Sequence, residues 1–347
     1  MRKHLNLIQF SRVIIPLFVV LFHVKAFMNH YFHYNFLGLP DVSKSGGVYY
    51  FFSLSGFMAY YLYHQNFGTP SYIKDFLYSR VIRIYPVYWF LTLLILPIYF
   101  FLPSLGFEND RGLVRIVTSF LLLPHQSQPL IGVAWSLVHT MFFYLVFCLF
   151  FLKDKLFPNV IIFIWSILSV LIGFNLVPVE HYLIQYIFNV YNLMFLLGIL
   201  CAQSVLKRHL TVLSAWFYIF TGIFIFPLAW VNEQFHWIRL DFQMIILLAT
   251  MLIMLGFASI DLQRDVKLPK MAMFLGDASF SIYLTHYYTG TLISLFITKW
   301  FSKVLPNALV AMILIITSII SGCIVYVLVE KPIHTRLKRY RKRKMSH

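Results

Sequence analysis

Ten separate apolar runs, each about as long as the roughly 20 residues a helix needs to cross a bilayer, constrain this chain more than any other feature. They fall at 5–27, 46–64, 86–104, 135–152, 158–176, 187–205, 212–231, 242–260, 280–298 and 308–329. The segments between them are too short to hold a soluble domain. The expected fold is therefore all-α: a polytopic membrane helix bundle of about ten transmembrane helices. Only 12% of the residues are charged and 60% are hydrophobic, whereas soluble domains carry about 25% charge. A formal charge of +16 would suggest a nucleic-acid partner in a soluble protein. Here the cations sit between apolar runs, as in multi-pass membrane proteins, so the bilayer is the expected partner and nucleic acid is not.

Orientation follows from those cations, because Lys and Arg in short loops resist translocation. With the N-terminus inside, 20 of the 28 Lys and Arg fall on the cytoplasmic side, 7 fall outside, and Arg12 lies within the first run. An odd number of spans would place the Arg336–Lys344 cluster outside, so both termini are expected in the cytoplasm. The first run has no small-residue cleavage site after it and is read as a retained span. Cys148, Cys201 and Cys323 lie inside apolar runs with no metal-ligand spacing, which indicates packing residues and no metal site. The expected division is a membrane domain over 1–332 and a basic cytoplasmic tail over 333–347, a tail whose charge suits anionic lipid.

Within the first run, Arg12 and His23 are eleven residues apart, close to three helical turns, so both project from one face about 16 Å apart. Ionisable groups inside a span ordinarily face a bundle interior or a wet cavity. Snorkelling of Arg12 and an outer-boundary position for His23 account for the same pattern. In Lys74–Pro86, Arg80 and Arg83 are neighbours on a helix face, and Pro86 disfavours helix at Tyr85. That predicts a short interfacial helix presenting two guanidinium groups to the cytoplasm. Such a pair suits phosphates of a nucleotide-like ligand, and ordinary inside charge or lipid headgroups suit it equally. Small residues in Gly46–Phe57 permit close helix approach, which explains that block as well as a function does. Trp135–Tyr144 places His139 in the fourth span, Gly276–His286 places His286 in the ninth, and Glu330-Lys331-Pro332 closes the last, where Lys331 can pair with Glu330.

Taken in order, these patches resemble the acyltransferase-3 family of bacterial integral membrane acyltransferases over nearly the whole chain. The family's Arg, ten residues, then His is matched by Arg12 and His23. Its Gly-Val-x-x-Phe-Phe-x-x-Ser-Gly-Phe block is matched by Gly47–Phe57, which includes Ser55. Its Arg-x-x-Arg-Ile-x-Pro element corresponds to Arg80, Arg83, Ile84 and Pro86, its Tyr-Leu-x-His to Tyr283–His286, and its Glu-Lys-Pro to Glu330–Pro332. One block departs: where the family carries Glu after Trp-Ser/Thr-Leu-x-x, this chain has Thr140, preceded by His139. A carboxylate able to orient or share a proton with a catalytic histidine is thereby missing.

The resemblance implies an O-acyltransferase of the bacterial cytoplasmic membrane. It would move an acyl group, usually acetyl, from cytoplasmic acyl-CoA to a hydroxyl of an extracytoplasmic carbohydrate such as an exopolysaccharide. It implies acyl-CoA (acetyl-CoA) as co-substrate, no permanently bound cofactor, and a cell-surface glycan as acceptor. In that scheme Arg80 and Arg83 hold the CoA phosphates, Arg12 positions the donor, and His23 is general base on the acceptor, a role suited to an imidazole. His286, Tyr283, Glu330, Ser55, Trp135 and His139 are supporting candidates. With no appended soluble domain expected, donor handling and acceptor acylation share the bundle or a separate partner completes the transfer. A polysaccharide carrier or export protein of the same architecture, without acyl transfer, is the alternative, although a carrier has no evident need of a phosphate-binding fork.

Overall fold

The computed structural model describes residues 3–38, 45–101, 112–154, 156–301 and 304–345, and every regular element among them is helical. In chain order these are α1 (Asn6–Phe32), α2 (Gly47–Tyr63), α3 (Tyr72–Phe101), α4 (Leu113–Leu121), α5 (Trp135–Phe147), α6 (Leu156–Gly173) and α7 (Tyr182–Ile187). They continue with α8 (Tyr191–Lys207), α9 (Val212–Phe235), α10 (Phe242–Gln263), α11 (Lys270–Trp300), α12 (Asn307–Val325) and α13 (Lys331–Met345), with a π-helical turn, Tyr326–Glu330, joining the last two. Among the described residues, eight stretches are long and apolar enough to cross a membrane: Asn6–Phe32, Tyr72–Pro97, Gly132–Phe151, Leu156–Gly173, Tyr182–Lys207, Val212–Phe235, Phe242–Gln263 and Asn307–Arg341. The two remaining apolar runs of the sequence coincide with α2, only 17 residues long, and with part of the 31-residue α11, whose polar residues interrupt its apolar character.

Lys3, Asp75 and Arg341 mark one end of the bundle. Lys3 pairs with Asp265 at 3.0 Å and its carbonyl accepts from the Tyr61 hydroxyl, while Arg341 pairs with Asp75 at 2.5 Å. The start of α1 is held there by an unusual cap. Asp261, at the end of α10, accepts from the backbone N–H groups of Leu7 (2.9 Å) and Ile8 (3.0 Å). A carboxylate at that position satisfies two donors that the first helical turn leaves free and complements its dipole. We call this the basal end, and the opposite end, where α4 and the loop after it lie, the distal end.

Small residues set the closest approaches. Gly56 of α2 and Gly198 of α8 lie against each other's helix so tightly that an added Cβ would stand 2.0 Å from the Phe195 carbonyl oxygen and 1.8 Å from that of Ser53. Backbone contact of this kind is how membrane helices associate where burial of apolar surface gives no net drive. The outward faces of α6 and α9 expose Phe163, Ile164, Phe217, Phe220 and Phe224, as lipid requires. The short α4 is strongly two-sided: Leu113, Val114, Val117 and Leu121 are exposed, while Arg115 and Ser119 turn inward.

One sequence expectation fails here. Residues 74–85 are not a separate interfacial helix, because α3 runs unbroken through Pro86 and Pro97. A buried bundle tolerates the lost N–H of an internal proline when neighbouring groups surround the freed carbonyl. Of the segment 65–85, read from sequence as a polar interruption, residues 72–85 therefore form the basal turns, about four, of a long helix. The positions Arg2, Lys44, Arg111, Lys155 and Lys303, counted in the charge bias, lie outside the described residues.

Candidate functional site

Two cavities enter the bundle from its two ends. The basal cavity, about 360 Å³, is walled by α1, α2, α3, α5 and α11, and four of its lining residues are cations: Lys3, Arg12, Arg80 and Arg83. Arg80 and Arg83 do not form the exposed fork that an interfacial helix would present. Arg80 is 6% exposed, with its guanidinium carbon 5.0 Å from the Tyr144 ring centre, 5.1 Å from Phe76 and 5.7 Å from Tyr63. Those ring faces stabilise the cation, yet its Nε and one terminal nitrogen are buried without a hydrogen-bond acceptor. Arg83, one turn further in, is half-buried and feels the charges of Arg12 and Glu330. The cavity thus holds a guanidinium with unused donors beside a second one balanced by a carboxylate.

Arg12 reaches the same cavity from α1, where it donates to Gln9 Oε1 at 3.1 Å. Gln9 in turn donates to Asp277 of α11 at 2.6 Å. Glu330 accepts from the Ser281 hydroxyl at 2.5 Å. Its place in the π-helical turn explains how the last span brings a carboxylate to this cluster, because a π turn swings side chains off the α-helical register. Glu330 does not line the cavity itself.

The distal cavity is larger, about 1,010 Å³, and His23 lines it together with His30, Arg115, Trp135, Tyr287 and Tyr288. The His23 ring lies 5.0 Å from that of His286, centre to centre, and 5.3 Å from that of Tyr287. His286 is almost wholly buried. Its Nδ1 lies 2.7 Å from the Tyr283 carbonyl oxygen, which only accepts, so Nδ1 carries the proton and a neutral ring leaves Nε2 as a base. Nε2 is buried with no partner.

Tyr283 and Val48 line both cavities. The Tyr283 hydroxyl donates to the Val133 carbonyl at 2.8 Å and lies 2.9 Å from Ser136 Oγ. Val133 faces the distal cavity and Ser136 the basal one. The phenol is therefore a partition, pinned on its far edge by a hydrogen bond, between a cationic basal space and a histidine-bearing distal one.

Arg12, Arg80, Arg83, Ser55 and Tyr283 thus share the basal cavity, and His23, Trp135 and Tyr283 share the distal one, with His286 behind His23. His139 belongs to neither. Its ring stacks on Tyr186 at 4.4 Å and faces a third, smaller cleft. Thr140 lines the basal cavity and its hydroxyl donates to the Ser136 carbonyl at 2.8 Å. A carboxylate at position 140 would therefore face the cations around Arg80 and not the imidazole of His23. Sequence reasoning missed Tyr144, Ser136 and Tyr288; the first carries Arg80 and the others hold the partition and its rim. It also counted Arg115 only as an outer charge, although a cation flanked by apolar residues was a signal: Arg115 is buried and its Nε donates to the Gln128 carbonyl at 2.9 Å. Among the described residues no group of His, Cys, Asp or Glu converges to hold a metal ion.

A membrane-embedded helical bundle with opposed cationic and imidazole-bearing cavities is the class of protein these features define. The acyltransferase-3 family model, described as an acyltransferase domain, matches residues 6–327, and the chain belongs to that family. Comparison with curated proteins and with solved structures returns no match.

Proposed function

We propose that the protein is an O-acyltransferase that takes an acyl group, acetyl in the first instance, from acyl-CoA in the basal cavity. It passes this group to a hydroxyl of a cell-surface carbohydrate in the distal cavity. The observation that carries the proposal is the shared partition: Tyr283 touches both the space lined by Arg12, Arg80 and Arg83 and the space lined by His23. In this scheme the bundle spans the bacterial cytoplasmic membrane about ten times with its basal end, and so both termini, in the cytoplasm, where acyl-CoA is made. That orientation places the cationic cavity toward the donor.

The CoA phosphates meet the cations, and the unsatisfied N–H groups of Arg80 supply charge-assisted donors to them. The pantetheine arm, uncharged and narrow, extends inward along Ser55 and the aromatic wall toward Tyr283. Past it, the acceptor hydroxyl attacks the thioester carbonyl. His23 takes the hydroxyl proton, the C–S bond breaks, and CoA leaves as a thiolate that recovers that same proton from His23. Buried His286, its tautomer fixed by the Tyr283 carbonyl, holds the His23 ring in place and offers Nε2 to the proton being moved. Glu330 keeps Arg12 and Arg83 from repelling each other.

Acetyl-CoA binding to detergent-purified protein, followed by calorimetry and thermal shift, tests the donor site against an Arg80→Ala, Arg83→Ala double variant. Saturable binding that the double variant loses is the expected result. Acetyl transfer in membranes carrying His23→Ala tests the base, with a fall of ~10²–10⁴-fold expected for removal of a general base. Undiminished turnover would sink that assignment, and glycan binding without any acyl-CoA binding would point to a carrier instead.

A further inference from the structure

The third cleft, about 210 Å³, opens at the distal end between α5, α7 and the loop 122–130. Its floor holds two polar groups that none of the described residues satisfies. His139 is 8% exposed and Tyr186 6% exposed, and both His139 Nδ1 and the Tyr186 hydroxyl are buried without a hydrogen-bond partner. Buried polar atoms left unpaired are rare and call for a partner. Here two of them share one cleft with their rings stacked. The neighbouring Tyr182 does not share this condition, since its hydroxyl donates to the His125 carbonyl.

The rim above them is made of amides. Gln126, Gln128 and Gln185 are exposed at the cleft mouth, and each carboxamide both donates and accepts. Among the described residues no Lys, Arg, Asp or Glu lines the cleft. A phosphate or a carboxylate would find no guanidinium or ammonium there, and the lining His125 uses Nδ1 to accept from the Ser127 backbone N–H at 3.1 Å, whereas hydroxyl groups, which give and take hydrogen bonds, would find partners at floor and rim. Trp135 and Tyr182 add ring surface for the C–H face of a sugar. The volume admits one six-membered ring and not a chain. Gln128, Pro129 and Trp135 line both this cleft and the distal cavity, so a ligand can occupy the two together.

We infer that this cleft is a subsite for one uncharged sugar residue, adjacent in the chain to the residue whose hydroxyl is acylated beside His23. The inference rests on the acyl-transfer proposal and deepens it: the acceptor is an oligosaccharide or polymer with an uncharged neighbouring residue, not a single sugar. His139 and Tyr186 then read that neighbour through their free polar atoms, while the glutamines at the rim hold its outer hydroxyls.

The test is glycan binding to the full-length purified chain, followed by quenching of tryptophan fluorescence and by calorimetry. The probes are trisaccharides of glucose, galactose and N-acetylglucosamine, their monosaccharides, trigalacturonate, and a tripeptide as an unrelated amide ligand. At least one uncharged trisaccharide should bind, and its monosaccharide at least tenfold more weakly. Gln185→Ala and Tyr186→Phe should each weaken the trisaccharide about tenfold or more. Tyr186→Phe removes a hydroxyl that bonds to none of the described residues, so a purely structural role predicts no loss. Both variants should bind acetyl-CoA as the native chain does. Preference for trigalacturonate or the tripeptide, unaltered trisaccharide binding by the variants, or no binding of any uncharged trisaccharide would overturn the inference. Acetyl-CoA binding in the same sample separates the two failures. If it persists, only the subsite is wrong; if it is absent, the acyl-transfer reading itself fails.

Discussion

Replacing Gly198 by alanine probes the tightest crossing in the bundle. The added methyl would stand 1.8 Å from the Ser53 carbonyl oxygen, 2.7 Å from its carbon and 2.8 Å from the Phe57 nitrogen. Contacts under 3.0 Å are essentially never seen for a real Cβ, so α2 and α8 must part by at least 1.2 Å, the difference between 3.0 and 1.8 Å. All three atoms belong to the backbone, and no change of rotamer relieves them. Overpacking of a close-packed interior costs about 1–3 kcal/mol, and a clash confined to backbone belongs at the upper end. The shift also moves function, because α2 carries Val48, Phe51, Phe52 and Ser55 into the basal cavity. Displacement of a binding wall by about 1 Å can lower turnover ~10²-fold. Unfolding in mixed micelles, followed by loss of helical circular dichroism as denaturing detergent is added, gives the stability difference. Gly132→Ala is the comparison, since its methyl meets only Gln128 Oε1, at 3.3 Å, on a side chain free to move. It should change stability by less than about 0.5 kcal/mol. A Gly198→Ala protein equally close to the native value would refute the backbone crossing.

Other perturbations follow from single contacts. Asp261→Asn removes the charge from a cap that serves two N–H groups of α1; a loss of about 1–2 kcal/mol is expected, read by the same unfolding titration. Tyr283→Phe removes the phenol's bonds to the Val133 carbonyl and the Ser136 hydroxyl, which keep only their own 3.3 Å contact, and should destabilise by about 1 kcal/mol; an unchanged midpoint would show that the partition is not pinned. Acetyl-CoA affinity should fall as salt rises from low to physiological ionic strength, because mobile ions screen the cations at the basal mouth over ~8–10 Å; a salt-independent constant in a titration series would argue against phosphate binding there. Arg80→Lys should not restore the affinity lost in Arg80→Ala, since an ammonium neither stacks on three rings nor offers a planar pair of donors, and full rescue in the calorimeter would count against that geometry.

The parts of this fold that follow a helical period were legible beforehand. Arg12 and His23, three turns apart on α1, do open onto spaces at opposite ends of the bundle, because a long helix leaves little freedom for where its residues point. Arg80 and Arg83 were placed on one face of a helix, but the break expected at Pro86 was not found, since tertiary surroundings override what proline does to an isolated segment. That difference converts an exposed fork into a buried guanidinium packed on rings. His139 was recognisable as a polar residue in a span and not as part of a separate cleft, because Tyr186 and Gln185, which line that cleft with it, come from α7, some 45 residues further along the chain. Asp261 gave no signal at all. Its role is to cap a helix whose Leu7 lies 254 residues earlier, and nothing local marks such a pairing.

The tyrosine that closes one cavity from the other has an electrical consequence for the proposed reaction. The phosphates of CoA stay on the basal side and the glycan on the distal side, so what changes sides is the acyl group in one direction and the acceptor's hydroxyl proton in the other. Acetyl exchanged for that proton moves no net charge, and its transfer does no work against the membrane potential. A succinyl group would carry one carboxylate past Tyr283, and at 100 mV that movement amounts to about 2.3 kcal/mol. Voltage applied across proteoliposomes would then leave an acetyl transferase indifferent and drive or hold back a succinyl transferase, so an energised membrane can itself sort the donors this partition admits.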